Sequence, residues 1–179
     1  MAALAIPVTA HDHAQGPVDA RVTLLHYGDF QCPHCALFFP HLIEIAHELR
    51  DSVRVAFRHF PLADVHPQAL RAAEAAEAAA SQGRFWEMAS LLYANQEHLD
   101  EDSMVRYAKK VNIDARRFRK ELGSGVHAPR VRSDYLGGQR SGVQGTPTMF
   151  INGQVYTGRL ELGDVVGALL TASRNSSPR

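Results

Sequence analysis

Two hydrophobic periods alternate along the chain, and their order outlines a fold. Val22 to Tyr27 (Val-Thr-Leu-Leu-His-Tyr) is a short, nearly continuous apolar run, which predicts a buried strand. Gly28-Asp29-Phe30-Gln31 breaks it as a turn. From Cys32 onward the apolar positions Cys35, Leu37, Phe38, Leu42, Ile45, Ala46 and Leu49 recur at helical spacing. Pro40 falls inside that helix and predicts a kink, and Asp51-Ser52 ends it. Val53 to Phe60 (Val-Arg-Val-Ala-Phe-Arg-His-Phe) alternates apolar with polar as a strand does, and Pro61 stops it. A strand, a helix and a strand in that order predict parallel pairing with a right-handed crossover.

The next stretch carries no strand pattern. Pro67 to Gln82 is alanine- and glutamate-rich and reads as a strong helix, with Arg71, Glu74 and Glu77 along its polar face. Phe85 to Gln96 is a second helix, with Phe85, Met88, Leu91 and Leu92 as its buried side. Ser103 to Val111 is a third, capped by Asp102 or Ser103, and Asp114 to Leu122 a fourth, capped by Asp114 and ended at Gly123. A fifth runs from Pro129 to Gly138. Strand character returns at Thr148 to Ile151. Asn152-Gly153 then joins it to Gln154–Thr157, and Asn-Gly between two such runs predicts a hairpin. Leu160 to Ala172 closes the chain as an amphipathic helix. The order β-α-β, helices, β-β-α defines an α/β fold with a helical insertion. The expected division is a flexible N-terminal tail over 1–16, a core made of 17–62 and 140–173, an inserted helical subdomain over 63–139, and a polar tail over 174–179.

Length agrees with one domain carrying an insertion, since 179 residues are too few for two ordinary domains. Lys plus Arg and Asp plus Glu each number 19, so charge gives no reason to expect nucleic acid or an anionic membrane as a partner. The basic run Arg116, Arg117, Arg119 and Lys120 is flanked by Asp114 and Glu121 and reads as a solvated helix face. No apolar stretch is long enough for a transmembrane helix. The first fifteen residues lack a basic n-region and a long h-region, so a cytoplasmic location is expected. His11 and His13 could form a weak metal clip, although scattered histidines in a mobile terminus are the simpler reading.

Both cysteines sit in one tetrapeptide, Cys32-Pro33-His34-Cys35. A bridge between cysteines three apart closes almost no loop, so their value is chemical rather than structural. Cys32 falls at a helix N-terminus, where unpaired N–H groups and the macrodipole favour a thiolate. Cys35 lies one turn deeper. Cys32 is therefore expected to be exposed and to attack, and Cys35 to resolve the mixed disulfide. Pro33 suits the first helical turn, and a proton on His34 would favour the Cys32 thiolate and make the pair more oxidising. A zinc half-site is the rival for these cysteines, but a structural site needs four ligands, and only histidines such as His26 and His34 could complete it.

With these residues in view the chain resembles the DsbA-like branch of the thioredoxin superfamily. One matching segment runs from Val22 to Cys35. The other is Gly142-Val143-Gln144-Gly145-Thr146-Pro147-Thr148-Met149-Phe150-Ile151-Asn152-Gly153. The resemblance covers roughly residues 18–172 and implies a thioredoxin fold with an inserted helical subdomain. It further implies that Pro147 is a cis-proline facing the cysteine pair, and that Thr146 and Pro147 receive the substrate beside Cys32. One position departs from the family: His26 stands where relatives commonly carry an acidic residue that moves the proton of the buried cysteine. A buried histidine is a candidate for the same task. The activity implied is dithiol–disulfide exchange with protein or peptide thiols, needing no organic cofactor or metal beyond the Cys32–Cys35 disulfide, together with a redox partner that the sequence does not name. The alternative is a thioredoxin-fold interaction module whose cysteines act as a passive redox sensor.

Overall fold

The computed structural model describes residues 3–175. Five strands, β1 (His13–Gln15), β2 (Val22–Gly28), β3 (Val53–His59), β4 (Thr148–Ile151) and β5 (Gln154–Val155), form one sheet in the order β1-β3-β2-β4-β5. Helix α1 (Pro33–Glu48) connects β2 to β3, which pair in parallel. Helices α2 (Ala69–Ala80), α3 (Phe85–Ala94), α4 (Glu101–Lys110), α5 (Ala115–Ser124) and α6 (Ala128–Arg140) form the insertion, and α7 (Leu162–Asn175) closes the fold. β4 runs antiparallel to both β2 and β5, as the Asn152-Gly153 hairpin predicts.

Successive residues of a strand point to opposite faces of its sheet. Leu24, Val55 and Phe57 therefore pack with Phe38, Leu42 and Ile45 of α1 and with α7, while Leu25, Tyr27, Ala56 and Phe150 form a second cluster on the opposite face. His26 shares the face of Leu24. This alternation places it under α1, with its ring 6.3 Å from Phe38 and 5.5 Å from Phe57.

The structure departs from the sequence reading at several points. Residues read as a flexible tail include β1, which lies antiparallel on β3 with His13 opposite Phe57. Arg58 fixes this segment: its guanidinium donates to Asp12 at 2.6 Å and 3.0 Å and to the carbonyls of Ile6 and Pro7 at 2.8 Å each. The cap of α4 is Asp100, whose carboxylate accepts from the Ser103 N–H at 2.9 Å, rather than Asp102 or Ser103. Helix α5 starts at Asp114 as expected but passes Gly123 and ends at Gly125, which adopts φ +64°. Glu74 and Glu77 are not on a solvated face but are buried, at 5% and 7% exposure. The cause is the position of α2, which packs against α3, α4, α5 and α6 at once. The end of the expected polar tail, residues 176–179, lies outside the described residues.

Candidate active site

The turn after β2 and the first turn of α1 build the site. Cys32 is the N-cap of α1, in extended conformation, and Pro33 occupies the first helical position. A proline N–H would have no helical partner there, so none is lost. Pro33 and His34 are exposed, whereas Cys35 is fully buried in the core. Cys32 is more covered than expected, keeping 4% exposure, because the loop before β4 lies over it. Both cysteines are free thiols.

That loop arrives through sheet register. Tyr27 pairs with Thr148, so the residues preceding β4 lie beside those following β2. The Thr146–Pro147 peptide is cis, and the Thr146 carbonyl accepts from the Cys32 thiol at 3.3 Å. The structure thus brings Cys32, Cys35, Thr146 and Pro147 together. It places His26 beneath them on β2, and leaves His34 with its side chain toward solvent.

The two sulfurs differ sharply. A hydrogen bond from the Cys35 thiol holds the Cys32 thiol down, against the opposing effect of its own burial. Thr146 and the backbone N–H groups of Cys35 and His34 add to this, leaving the thiol near pKa 5. Burial pushes the Cys35 thiol far upward, and the neighbouring Cys32 sulfur adds to the shift. His34 thus supports the thiolate through its backbone, a route that a side-chain reading of the tetrapeptide misses.

Several supporting groups carried no signal in the sequence. The Asp29 carboxylate, in the turn after β2, accepts from the Gln31 N–H at 2.7 Å and from the distant Leu62 N–H at 2.8 Å, and meets His66 Nδ1 at 2.8 Å. Gln96, just beyond α3, donates to the carbonyls of Phe30 and Cys32 at 2.8 Å and 3.0 Å, tying the insertion to the cysteine turn. Tyr93 of α3 is buried between Phe30 and Phe39, with its hydroxyl directed at Cys35. Gly28 explains how these groups fit. A Cβ there would lie 2.7 Å from the Tyr93 hydroxyl and 2.8 Å from His26 Nε2, so only glycine admits both to the floor of the site. Neither polar group has a hydrogen-bond partner there. Burial lowers the His26 imidazole to about pKa 3, so it is neutral at physiological pH.

A sheet of this order with an inserted helical block and a dithiol at the N-terminus of α1 defines a thioredoxin fold with a helical insertion. The Thioredoxin family model matches residues 9–169, and the chain belongs to that family. Its fold is similar to oxidised BdbD from Bacillus subtilis, with a TM-score of 0.83 and 21% identity over 91% of this chain and 93% of that one. It is also similar to Wolbachia pipientis α-DsbA1 (TM-score 0.82, 20% identity, 97% and 96% covered) and to the catalytic domain of Proteus mirabilis ScsC (TM-score 0.79, 20% identity, 93% and 91% covered). Among curated proteins it is 43% identical over 170 residues to a Salinispora tropica protein named Na(+)/H(+) antiporter NhaA 3, covering 94% of this chain and 26% of that protein. A Mycolicibacterium gilvum protein named Na(+)/H(+) antiporter NhaA 1 is 38% identical over 162 residues, again over 26% of its length. The chain therefore spans about a quarter of the curated relatives it matches. Among the described residues no helix is long and apolar enough to cross a membrane.

Proposed function

We propose that the chain is a thiol–disulfide oxidoreductase that exchanges disulfides with protein or peptide substrates, and that its Cys-Pro-His-Cys pair is relatively oxidising. One arrangement carries this reading: Cys32 caps α1, where hydrogen bonds hold its thiol down to about pKa 5, while Cys35 is fully buried directly behind it and burial pushes its thiol up. Groups that stabilise the thiolate stabilise the reduced protein, and so make its disulfide the stronger oxidant.

In the oxidising direction a substrate thiolate attacks Cys32 Sγ of the disulfide. The Cys32–Cys35 bond breaks, and Cys35 leaves with the electron pair and takes up a proton. A second substrate thiolate attacks the substrate sulfur of the mixed disulfide, and Cys32 departs as its stabilised thiolate. Two electrons pass from the substrate dithiol to the pair. The substrate lies beside Thr146 and Pro147, the half-buried residues next to Cys32. The ion-transport names belong to relatives that this chain matches over a quarter of their length, and the redox reading draws on the fold and the cysteine pair instead.

Equilibration with glutathione buffers tests the direction. The expected reduction potential lies well above the roughly −270 mV of thioredoxin. A value close to thioredoxin's would overturn the oxidising assignment, and absence of exchange with any protein dithiol or disulfide would overturn the activity itself.

The proton that Cys35 gains or loses must pass through the floor of the site. The Tyr93 hydroxyl faces it, and neutral His26 lies, like Tyr93, against Gly28. Tyr93→Phe is expected to slow closure of the mixed disulfide by Cys35 about tenfold or more, with the Cys32 titration left near its original midpoint. His26→Ala is expected to alter the pH profile of the same closure step. Closure at the original rate and with the original profile in both variants would remove these residues from proton transfer.

A further inference from the structure

We propose that His13, His59 and Glu77 form a binding site for a first-row transition-metal ion of the zinc type, separate from the cysteine pair. The residues come from three distant segments: β1, the end of β3, and α2. Their ligand atoms, His13 Nε2, His59 Nε2 and one Glu77 carboxylate oxygen, all lie within 4.8 Å of one another. Both imidazoles converge on that single oxygen, at 2.5 Å from His13 and 2.7 Å from His59.

Two imidazole nitrogens and one carboxylate oxygen form a donor set that suits zinc and leaves a fourth position open for water. The carboxylate is already charged. Burial opposes ionisation of Glu77, but hydrogen bonds from His13 and His59 outweigh it and hold the group below the usual carboxylate range. Aromatic rings fix the imidazole planes. His13 stacks on Phe85 at 3.7 Å with an interplanar angle of 8°. His59 meets Phe57 edge-on at 5.4 Å and Phe85 at 5.9 Å. An apolar shell of this kind limits solvent access and holds ligands in place. The His13 side chain keeps 15% exposure, so the cluster opens to solvent on that side.

To ligate, each imidazole must offer its Nε2 lone pair to the ion, so the two Nε2···Glu77 hydrogen bonds give way to metal–ligand bonds and a proton held on Nε2 moves to Nδ1 or leaves to solvent. His59 Nδ1 is buried without a hydrogen-bond partner. The opposing charge is Arg130 of α6, whose Nε lies 3.8 Å from the same Glu77 oxygen. Arg130 also reaches Asp134 at 3.5 Å, so its charge is shared between two carboxylates.

Titration with Co²⁺ and then Zn²⁺ tests the site in a Cys32→Ser/Cys35→Ser background, which removes the thiols as competing ligands. The expected result is one ion per chain, bound more tightly than about 10 µM. It should be accompanied by a visible Co²⁺ band of low-symmetry, four-coordinate type and a rise in Tm of about 5 °C at saturating Zn²⁺. Glu77→Gln and His13→Ala should each abolish the band and the Tm rise, and Arg130→Ala should tighten binding. His13 is half-buried at the sheet edge, so its loss leaves a folded protein in which the binding result can be read directly. No binding by the background protein, or binding unchanged in both Glu77→Gln and His13→Ala, would overturn the proposal and assign any bound ion to surface imidazoles.

Discussion

Cys32→Ser is expected to reduce disulfide exchange to the uncatalysed rate, whereas Cys35→Ser is expected to leave the protein covalently joined to its substrate. The two outcomes differ because the two sulfurs differ. Cys32 is the group whose thiolate is stabilised, and without it no mixed disulfide forms. Cys35 is fully buried behind it and protonated, so it acts only after Cys32 has bonded to substrate. Serine cannot perform that second attack, and the mixed disulfide accumulates. Insulin reduction and refolding of a reduced test protein read the first outcome, and intact-mass spectrometry of the trapped species reads the second. A Cys35→Ser variant that turns over without accumulating adduct would reverse the assigned roles.

The reduced protein is expected to lose stability as pH falls from about 9 to about 5, by an amount that Cys32 controls. The folded thiol sits near pKa 5 and the unfolded one near 9.0. A folded pKa below the unfolded value means that the unfolded chain binds more protons between those limits, so stability rises with pH across that interval. The contribution is complete above the unfolded pKa and vanishes below the folded one. At pH 7 the two units separating 7 from 5 correspond to about 3 kcal/mol. Urea denaturation of the reduced protein and of Cys32→Ser, compared from pH 4 to pH 8, should show a difference that is large at pH 8 and absent by pH 4. A constant difference would mean that the thiol is not ionised in the folded state. The same titration should appear as thiolate absorbance and as alkylation that slows only in acid.

Much of this site is legible in sequence because it is local. Val22 to Cys35 encodes strand, turn and helix start through apolar period and proline placement, and Asn152-Gly153 encodes the hairpin. The link between Cys32 and Thr146 spans 114 residues and follows from resemblance, since no periodicity joins them. What stayed hidden is side-chain reach across elements. Gln96 and Tyr93 read as ordinary residues at the end of a helix, and their meaning depends on α3 docking against the cysteine turn. Glu74 and Glu77 show the same limit. Their spacing marks one face of a helix but not what that face meets, and α2 has helices on several sides. β1 escaped because three residues, His-Ala-Gln, carry no strand pattern and pair through backbone alone.

That short strand also governs how the protein behaves towards other chains. β3 would otherwise stand at the margin of the sheet with its outward N–H and C=O groups unpaired, a template on which another extended chain can dock. β1 occupies that margin, and the Arg58–Asp12 ion pair pins it there from within. A boundary drawn at Gly16-Pro17, where composition alone suggests that folded structure begins, would leave every active-site residue in place. It would also convert a protected rim into an adhesive one and strand the buried Arg58 charge without its carboxylate. Residues remote from the cysteine pair thus guard the margin of the sheet that carries it.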